Sequence, residues 1–318
     1  MTREPQQKLW RSRWYNALQG LLIMLGLALL LAVPGWLLAG PAGVFWALGL
    51  VLLAALAGGR MPARLILARS GAGHLPRAHA PELYTILDEL YRRAGCETEP
   101  ALYYVPSGEL NAFSVGDRKD GGLAISDGLL RVLNLRQLAG ILAHEVSHLS
   151  NGDTRVMSMA AVVTELTAWG ALFVQLLLLL LLPFVLLGEV DLPWLALLFA
   201  AFAPLLSNLL QLALSRNREF TADLEAAALT GDPEGLASAL ARLEHFNSRW
   251  LASVFGHSTR TLPGWLRTHP VTAERVRRLL ALSPRQDGAR SRLDLPPGPV
   301  LRHRPGPAPK SWVFRLRN

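Results

Sequence analysis

Cysteine is almost absent from this chain. Cys96 stands alone among 318 residues, which excludes an internal disulfide and any metal site built on thiolates. Charge is scarce as well. Asp, Glu, Lys and Arg make up 18% of the sequence and hydrophobic residues 51%, whereas an ordinary globular chain carries roughly 25% charged residues. Acid is the poorer sign, 24 Asp and Glu against 32 Lys and Arg, for a net charge of +8. A basic balance suits nucleic acid or anionic lipid. No zinc finger, recognition helix or aromatic–basic interleaving serves the first, so no nucleic-acid partner is expected. No internal repeat is present either.

What is abundant is apolar and comes in blocks. Arg3, Lys8, Arg11 and Arg13, with Trp10, Trp14 and Tyr15, precede a run over 17–39 that is apolar apart from Gln19. A helix needs about 20 apolar residues to cross a bilayer, and the apolar core of a signal peptide is shorter, about 7–15. A second run, 44–59, follows the turn Gly40-Pro41-Ala42-Gly43, and Arg60, Arg64, Arg69 and Arg77 come after it. A third run, 168–187, contains seven consecutive leucines, Leu176 to Leu182. A fourth, 192–214, follows the acidic break Gly188, Glu189 and Asp191 and is closed by Arg216 and Arg218. Positive charge flanks the outer ends of both pairs and is missing from their turns, which predicts that those ends face the cytoplasm.

The sequence therefore predicts an α-helical integral membrane protein. Its expected parts are a basic cytoplasmic N-terminus (1–15), transmembrane hairpins over 16–59 and 168–214, and a catalytic portion in two pieces, 60–167 and 215–282, facing the cytoplasm. A flexible basic Pro- and Arg-rich tail, 283–318, ends it. Anionic lipid is the expected surface partner. In the polar portion, Pro81 to Arg93 reads as an amphipathic helix with Leu83, Ile86, Leu87 and Leu90 on one stripe. Ala101–Val105 and Leu123–Ser126 read as strands of a simple hairpin joined through the turn Asp117–Gly122. Asp127–Leu133 reads as a short helix, and Asn134 as the cap of the next. Later helices begin at Asp232-Pro233-Glu234, with Leu236, Leu240 and Leu243 apolar, and at Thr272, with Val276, Leu279 and Leu280 inward. The fold class is a mainly helical domain with a small β-sheet, carried on membrane helices.

The chemistry is concentrated in His144-Glu145-Val146-Ser147-His148. Residues one helical turn apart share a face, so His144 and His148 can direct both imidazoles at one Zn²⁺, with Glu145 beside them to take a proton from an attacking water. A zinc site of this kind needs a third protein ligand and an open position. Glu219, in Arg216-Asn217-Arg218-Glu219-Phe220-Thr221-Ala222-Asp223, is a candidate, with Asp223 one turn on and Ala222 and Ala226 small enough for close helix approach. Spacing alone leaves Glu219 and Asp223 equally readable as a solvated helix face beside Arg216 and Arg218. His245 and His257 read as surface groups, and His74, His79 and His303 as loop residues.

The separated motifs resemble the M48 peptidase family, specifically its HtpX-like membrane zinc metalloproteases of bacterial inner membranes, which implies a bacterial inner-membrane location. The resemblance runs from about Asn16 to Leu280. It is carried by the N-terminal apolar pair, Asn111-Ala112-Phe113, the His144–His148 motif followed by Asn151-Gly152-Asp153, and the long apolar insertion. Arg218-Glu219-Phe220-Thr221-Ala222-Asp223 and Thr268-His269-Pro270 complete it. It implies a gluzincin-type fold and one Zn²⁺ per chain on His144, His148 and Glu219. It also implies Glu145 as general base, Asp223 in support, and His269 near the reacting carbonyl. Asn111 and Phe113 would border the substrate cleft on an edge strand. Polypeptide substrates, misfolded or damaged membrane proteins among them, follow from the resemblance. An incidental motif in a non-proteolytic membrane scaffold or transport subunit is the rival reading.

Overall fold

The computed structural model describes residues 3–58, 67–68, 70–116, 121–188, 194–255, 272–282 and 293–295. The expected turn around 117–120, the acidic break at 189–193, His257, His269 and most of the tail lie outside the described residues. The chain divides into two compact units, Met1–Arg60 with Arg155–Asn217, and Met61–Thr154 with Arg218–Asn318.

The first unit is helical. Helix α1, Arg3–Gly58, is broken at Ala39 and Gly40, where Gly40 adopts φ +60°, a region that glycine enters without steric cost. The two halves then fold back on each other. A Cβ on Gly43 would fall 1.9 Å from the Gly35 carbonyl oxygen, so the crossing admits only glycine. Parts of α5 (Asp153–Leu186) and α6 (Trp194–Thr230) complete the unit. Leu27, Ala160, Val163 and Leu214 form its small interior, with Met24, Val51 and Leu210 packed against it. Its outside is apolar too: Trp46 is 74% exposed, Leu180 70% and Leu186 78%. Among the described residues, one segment is long and apolar enough to cross a membrane, Val156–Leu186, with 31 residues and a mean hydropathy of 2.4. Met24–Leu37 and Ala39–Leu53 are shorter apolar helices.

The second unit carries the sheet and the polar helices. Helix α2, Pro81–Ala94, buries Leu83, Ile86, Leu87 and Leu90, the expected stripe. Four strands follow the order β1-β2-β4-β3: β1 Gly73–His74, β2 Leu102–Val105, β3 Ala112–Val115 and β4 Gly122–Ser126. The pairing departs from the expected hairpin. β2 and β4 are parallel neighbours, and the antiparallel partner of β4 is β3. The reason is burial: β2 and β4 are buried throughout, as central strands are, whereas β3 is only partly buried and takes an edge. His74 is likewise in a strand rather than a loop.

Helix α3, Asp127–Val132, is followed at once by α4, Leu135–Asn151. Asn134 caps α4 in a reciprocal pair: its side chain accepts from Gln137 N at 2.9 Å, and Gln137 Oε1 accepts from Asn134 N at 3.2 Å. Gly152, at φ +68°, ends it and lets the chain turn directly into α5. Helix α7, Pro233–Phe255, packs Leu236 and Leu240 into the same core as Leu138, Leu142 and Val146 of α4. In α8, Thr272–Ala281, Leu279 is buried and Val276 partly so, but Leu280 is 51% exposed and Arg275 takes the inward position instead.

Close contact between α4 and α7 is set by one glycine. A Cβ on Gly140 would stand 2.8 Å from Leu236 Cα and 2.9 Å from Leu236 N, and backbone cannot rotate away. Gly140→Val is expected to destabilise the protein by about 1–3 kcal/mol through overpacking, read as a lower denaturation midpoint of the detergent-solubilised protein.

Candidate metal centre and active site

Helix α4 presents His144, Glu145 and His148, and α6 meets it with Glu219 and Asp223. The approach is close because Ala222 and Ala226 are fully buried. It is also bonded: Glu225 Oε2 accepts from Ser147 Oγ at 2.5 Å and from Asn151 Nδ2 at 2.6 Å. Ser147 and Asn151 lie one turn apart on α4, so one carboxylate of α6 fixes both the spacing and the rotation of the motif helix.

The metal-directed atoms converge. His144 Nε2 and His148 Nε2 are 3.2 Å apart. Glu219 places Oε2 3.4 Å from the first and Oε1 3.8 Å from the second. A tetrahedral ion with bonds of about 2.0–2.2 Å separates its donors by roughly 3.3–3.6 Å, so the three side chains fit one ion. Among the described residues they form the group capable of holding a metal.

The outward nitrogens are oriented by carboxylates. His144 Nδ1 lies 3.1 Å from Asp223 Oδ1, and Asp153 Oδ2 accepts from His148 Nδ1 at 2.8 Å. Such partners select the ring tautomer and aim the other nitrogen at the metal. Asp153 is anchored by an ion pair with buried Arg218. Asp223 accepts two bonds of 2.7 Å from Arg275, whose Nη1 also lies 3.0 Å from Glu219 Oε2. The single guanidinium thus balances the carboxylates of Glu219 and Asp223.

Burial and charge work against each other throughout the site. Burial disfavours the His144 imidazolium, but Asp223 and Glu219 outweigh it and hold the pKa up at about 10. Burial also opposes the Asp223 carboxylate, and Arg275 and His144 outweigh it, keeping its pKa below the ordinary value. At Glu145 burial prevails over the neighbouring histidines and a hydrogen bond from Ser114, raising its pKa. A raised carboxyl pKa suits a group that must take a proton and give it back.

Of the residues expected from sequence, His144, Glu145, His148, Glu219 and Asp223 are brought together. Asn111 lies at the entry to β3 with its backbone paired to Ser126, and Phe113 is on β3 itself, packed on Leu67, Tyr103 and Val115. His269 lies outside the described residues. Sequence reading missed Asp153, Arg218, Glu225, Ser114 and Arg275. The available signal for Asp153 was its position two residues past the end of the motif helix.

Two histidines one turn apart, an acid from a second helix and a partly buried glutamate beside the first histidine define the donor set and base of a metal-dependent hydrolase. Comparison with known proteins agrees. The profile of peptidase family M48 matches residues 77–283. A protease HtpX homologue of Acaryochloris marina is 36% identical over 280 residues, covering 81% of this chain and 92% of the relative. One of Desulfatibacillum aliphaticivorans is 30% identical over 87% of this chain and 93% of its own. The chain belongs to peptidase family M48 and is HtpX-like. A crystal structure of S. mikatae Ste24p aligns with a TM-score of 0.48 and 18% identity, over 86% of this chain and 66% of that one.

Two outcomes test this geometry. Because His144 keeps its proton up to about pH 10, a metal must displace that proton at neutral pH. Apparent affinity is then expected to rise with pH, by about tenfold per unit for one displaced proton; calorimetry in buffers of different ionisation enthalpy measures the proton released. Asp153→Asn, which leaves the donor atoms in place, is expected to weaken metal binding by about 10–100-fold, measured by competition with a chromophoric chelator.

Proposed function

We propose that this M48 peptidase is a zinc-dependent membrane endopeptidase, with one Zn²⁺ held by His144, His148 and Glu219. The observation that supports zinc is the donor set itself: two imidazoles and a carboxylate at tetrahedral spacing, each imidazole backed by a carboxylate. Bound there, zinc supplies a Lewis acid that polarises the scissile carbonyl and makes a water acidic. Glu145 removes the proton of the attacking water and delivers it to the leaving amine, so that the nucleophile and the leaving group are served by one carboxyl. Asp223 and Asp153 keep the imidazoles oriented, and Arg275 keeps Asp223 and Glu219 ionised. His269 is assigned to the oxyanion of the tetrahedral intermediate. An extended polypeptide adds to β3, an edge strand among the described residues, at Asn111 and Phe113, where backbone hydrogen bonds hold it without demanding a particular sequence.

The enzyme is read as a multi-pass protein of a bacterial inner membrane, with four spans and the catalytic unit on the cytoplasmic side; the four apolar runs support the spans and the basic residues at their outer ends the orientation. The large exposed side chains of the first unit support that reading, since a face of Trp46, Leu180 and Leu186 is stable in hydrocarbon and not in water. The basic segments at the span ends suit anionic lipid. A site that accepts extended chain takes unfolded or mobile segments, which fits turnover of misfolded or damaged membrane proteins.

Glu145→Gln is expected to reduce cleavage of an unfolded polypeptide by about 10²–10⁴-fold while metal content, measured by elemental analysis, stays at one per chain. Glu219→Ala is expected to lose both activity and metal. Unimpaired cleavage by Glu145→Gln, or full zinc content in Glu219→Ala, would sink the assignment.

A further inference from the structure

The sequence beyond residue 282 carries no sustained hydrophobic period and reads as flexible tail, yet part of it is built into the second unit. Leu293 is 8% exposed and belongs to the same hydrophobic core as Leu138, Leu142 and Leu236. Its backbone is engaged as well: Leu293 N donates to the Thr230 carbonyl at 2.9 Å. Thr230 is the last residue of α6, and the closing carbonyls of a helix have no partner within it. Arg93 Nη1 donates to the preceding one, at Leu229, at 2.8 Å. The tail therefore helps to cap the helix that carries Glu219 and Asp223.

The seat is built to receive it. Leu293 and Leu295 line a small cavity of about 150 Å³, whose other walls are Arg136, Ala139 and Gly140 of α4 with Thr230 and Asp232. Those walls are fixed to one another. Arg136 Nε and Nη2 donate to the two carboxylate oxygens of Asp232 at 2.6 and 2.7 Å, and Asp232 N donates to Thr230 Oγ1 at 3.1 Å. The M48 profile ends at residue 283, so the seat is filled by sequence outside the matched region.

The position of the seat gives it a bearing on the metal. His148 meets Glu219 while His144 meets Asp223, so α4 and α6 run antiparallel. The same seam continues to Gly140 and Thr230, which share the cavity, one turn before His144 and two turns after Asp223. Toward its other end the seam is closed by Glu225 with Ser147 and Asn151. The metal-directed side chains thus lie along a seam fastened by a buried carboxylate at one end and by the tail at the other.

We propose that residues 293–295 are an intramolecular strap that holds the N-terminal half of α4 against the C-terminal end of α6 and so keeps the zinc donors at binding distance, with Leu293 as its positioning residue. The inference goes beyond the endopeptidase reading and takes from it only the metal site. The test compares the full-length protein in detergent with truncations lacking 296–318 or 293–318, and with Leu293→Ala and Leu293→Met. Zn²⁺ affinity is measured by competition with a chromophoric chelator, and amide hydrogen exchange of the metal-free proteins is followed by mass spectrometry. Loss of 293–318 is expected to weaken zinc binding by about tenfold, the low end for removing a support of metal ligands, and to speed exchange at 135–143 and 224–230 by about the same factor. Leu293→Ala, which keeps the backbone bond to Thr230, is expected to move both in the same direction by about threefold. Loss of 296–318 and Leu293→Met are expected to leave both at wild-type values. Unchanged exchange on loss of 293–318 would overturn the strap, and so would equal effects of the two truncations, which would place the cause after Leu295. Faster exchange with zinc affinity intact would overturn its bearing on the metal. A full-length protein that binds no zinc would instead sink the metal assignment of the endopeptidase reading, and the exchange result would still decide the strap.

Discussion

The structure of the site depends on one constraint, the rotation of α4 about its own axis. His144 and His148 are one turn apart, so a small rotation would swing both imidazoles away from Glu219 together. Three kinds of contact prevent it. Glu225 of α6 holds Ser147 and Asn151, the bare backbone at Gly140 seats α4 on α7, and the Asn134–Gln137 box sets where the helix begins. A packed core alone tolerates several rotations, whereas a buried hydrogen bond is satisfied at one of them.

A second constraint is charge. Glu219, Asp223, Asp153, Glu145, Arg218 and Arg275 all converge on a small volume, and most of them are buried. Isolated charges there would be costly to desolvate. The arrangement works because each acid has a cationic or imidazole partner: Arg275 for Asp223 and Glu219, Arg218 for Asp153. Arg275 is the less obvious member, since it supports the metal-directed carboxylate from a helix that follows it by more than fifty residues.

Local rules made much of this legible before any coordinates. The His144–His148 spacing needs only the helical period, the stripe of α2 needs only periodicity, and the cap at Asn134 needs a neighbour three residues on. What was not legible depends on partners distant in the chain. Arg275 sits on an amphipathic helix among charged residues, and nothing local separates it from Arg277 and Arg278; only Asp223 across the fold makes its burial favourable. Leu280, read as inward by the same period, is displaced to the surface for that reason. The strand pairing failed differently. β2 and β4 look like a hairpin because they are short and close in sequence, and β3 between them is only four residues long, with Ser114 breaking its apolar run. Parallel pairing of β2 with β4 puts the two most apolar strands at the centre and leaves β3 at the edge.

That edge connects the fold to its chemistry. A central β3 would have both its backbone rows paired within the sheet. At the edge, β3 has a strand partner on one side only among the described residues, and Ser114 on the same strand interacts with Glu145. Unpaired edges ordinarily invite aggregation. Here the strand is only four residues long and lies beside α4, so it can align a short extended segment without templating a large sheet.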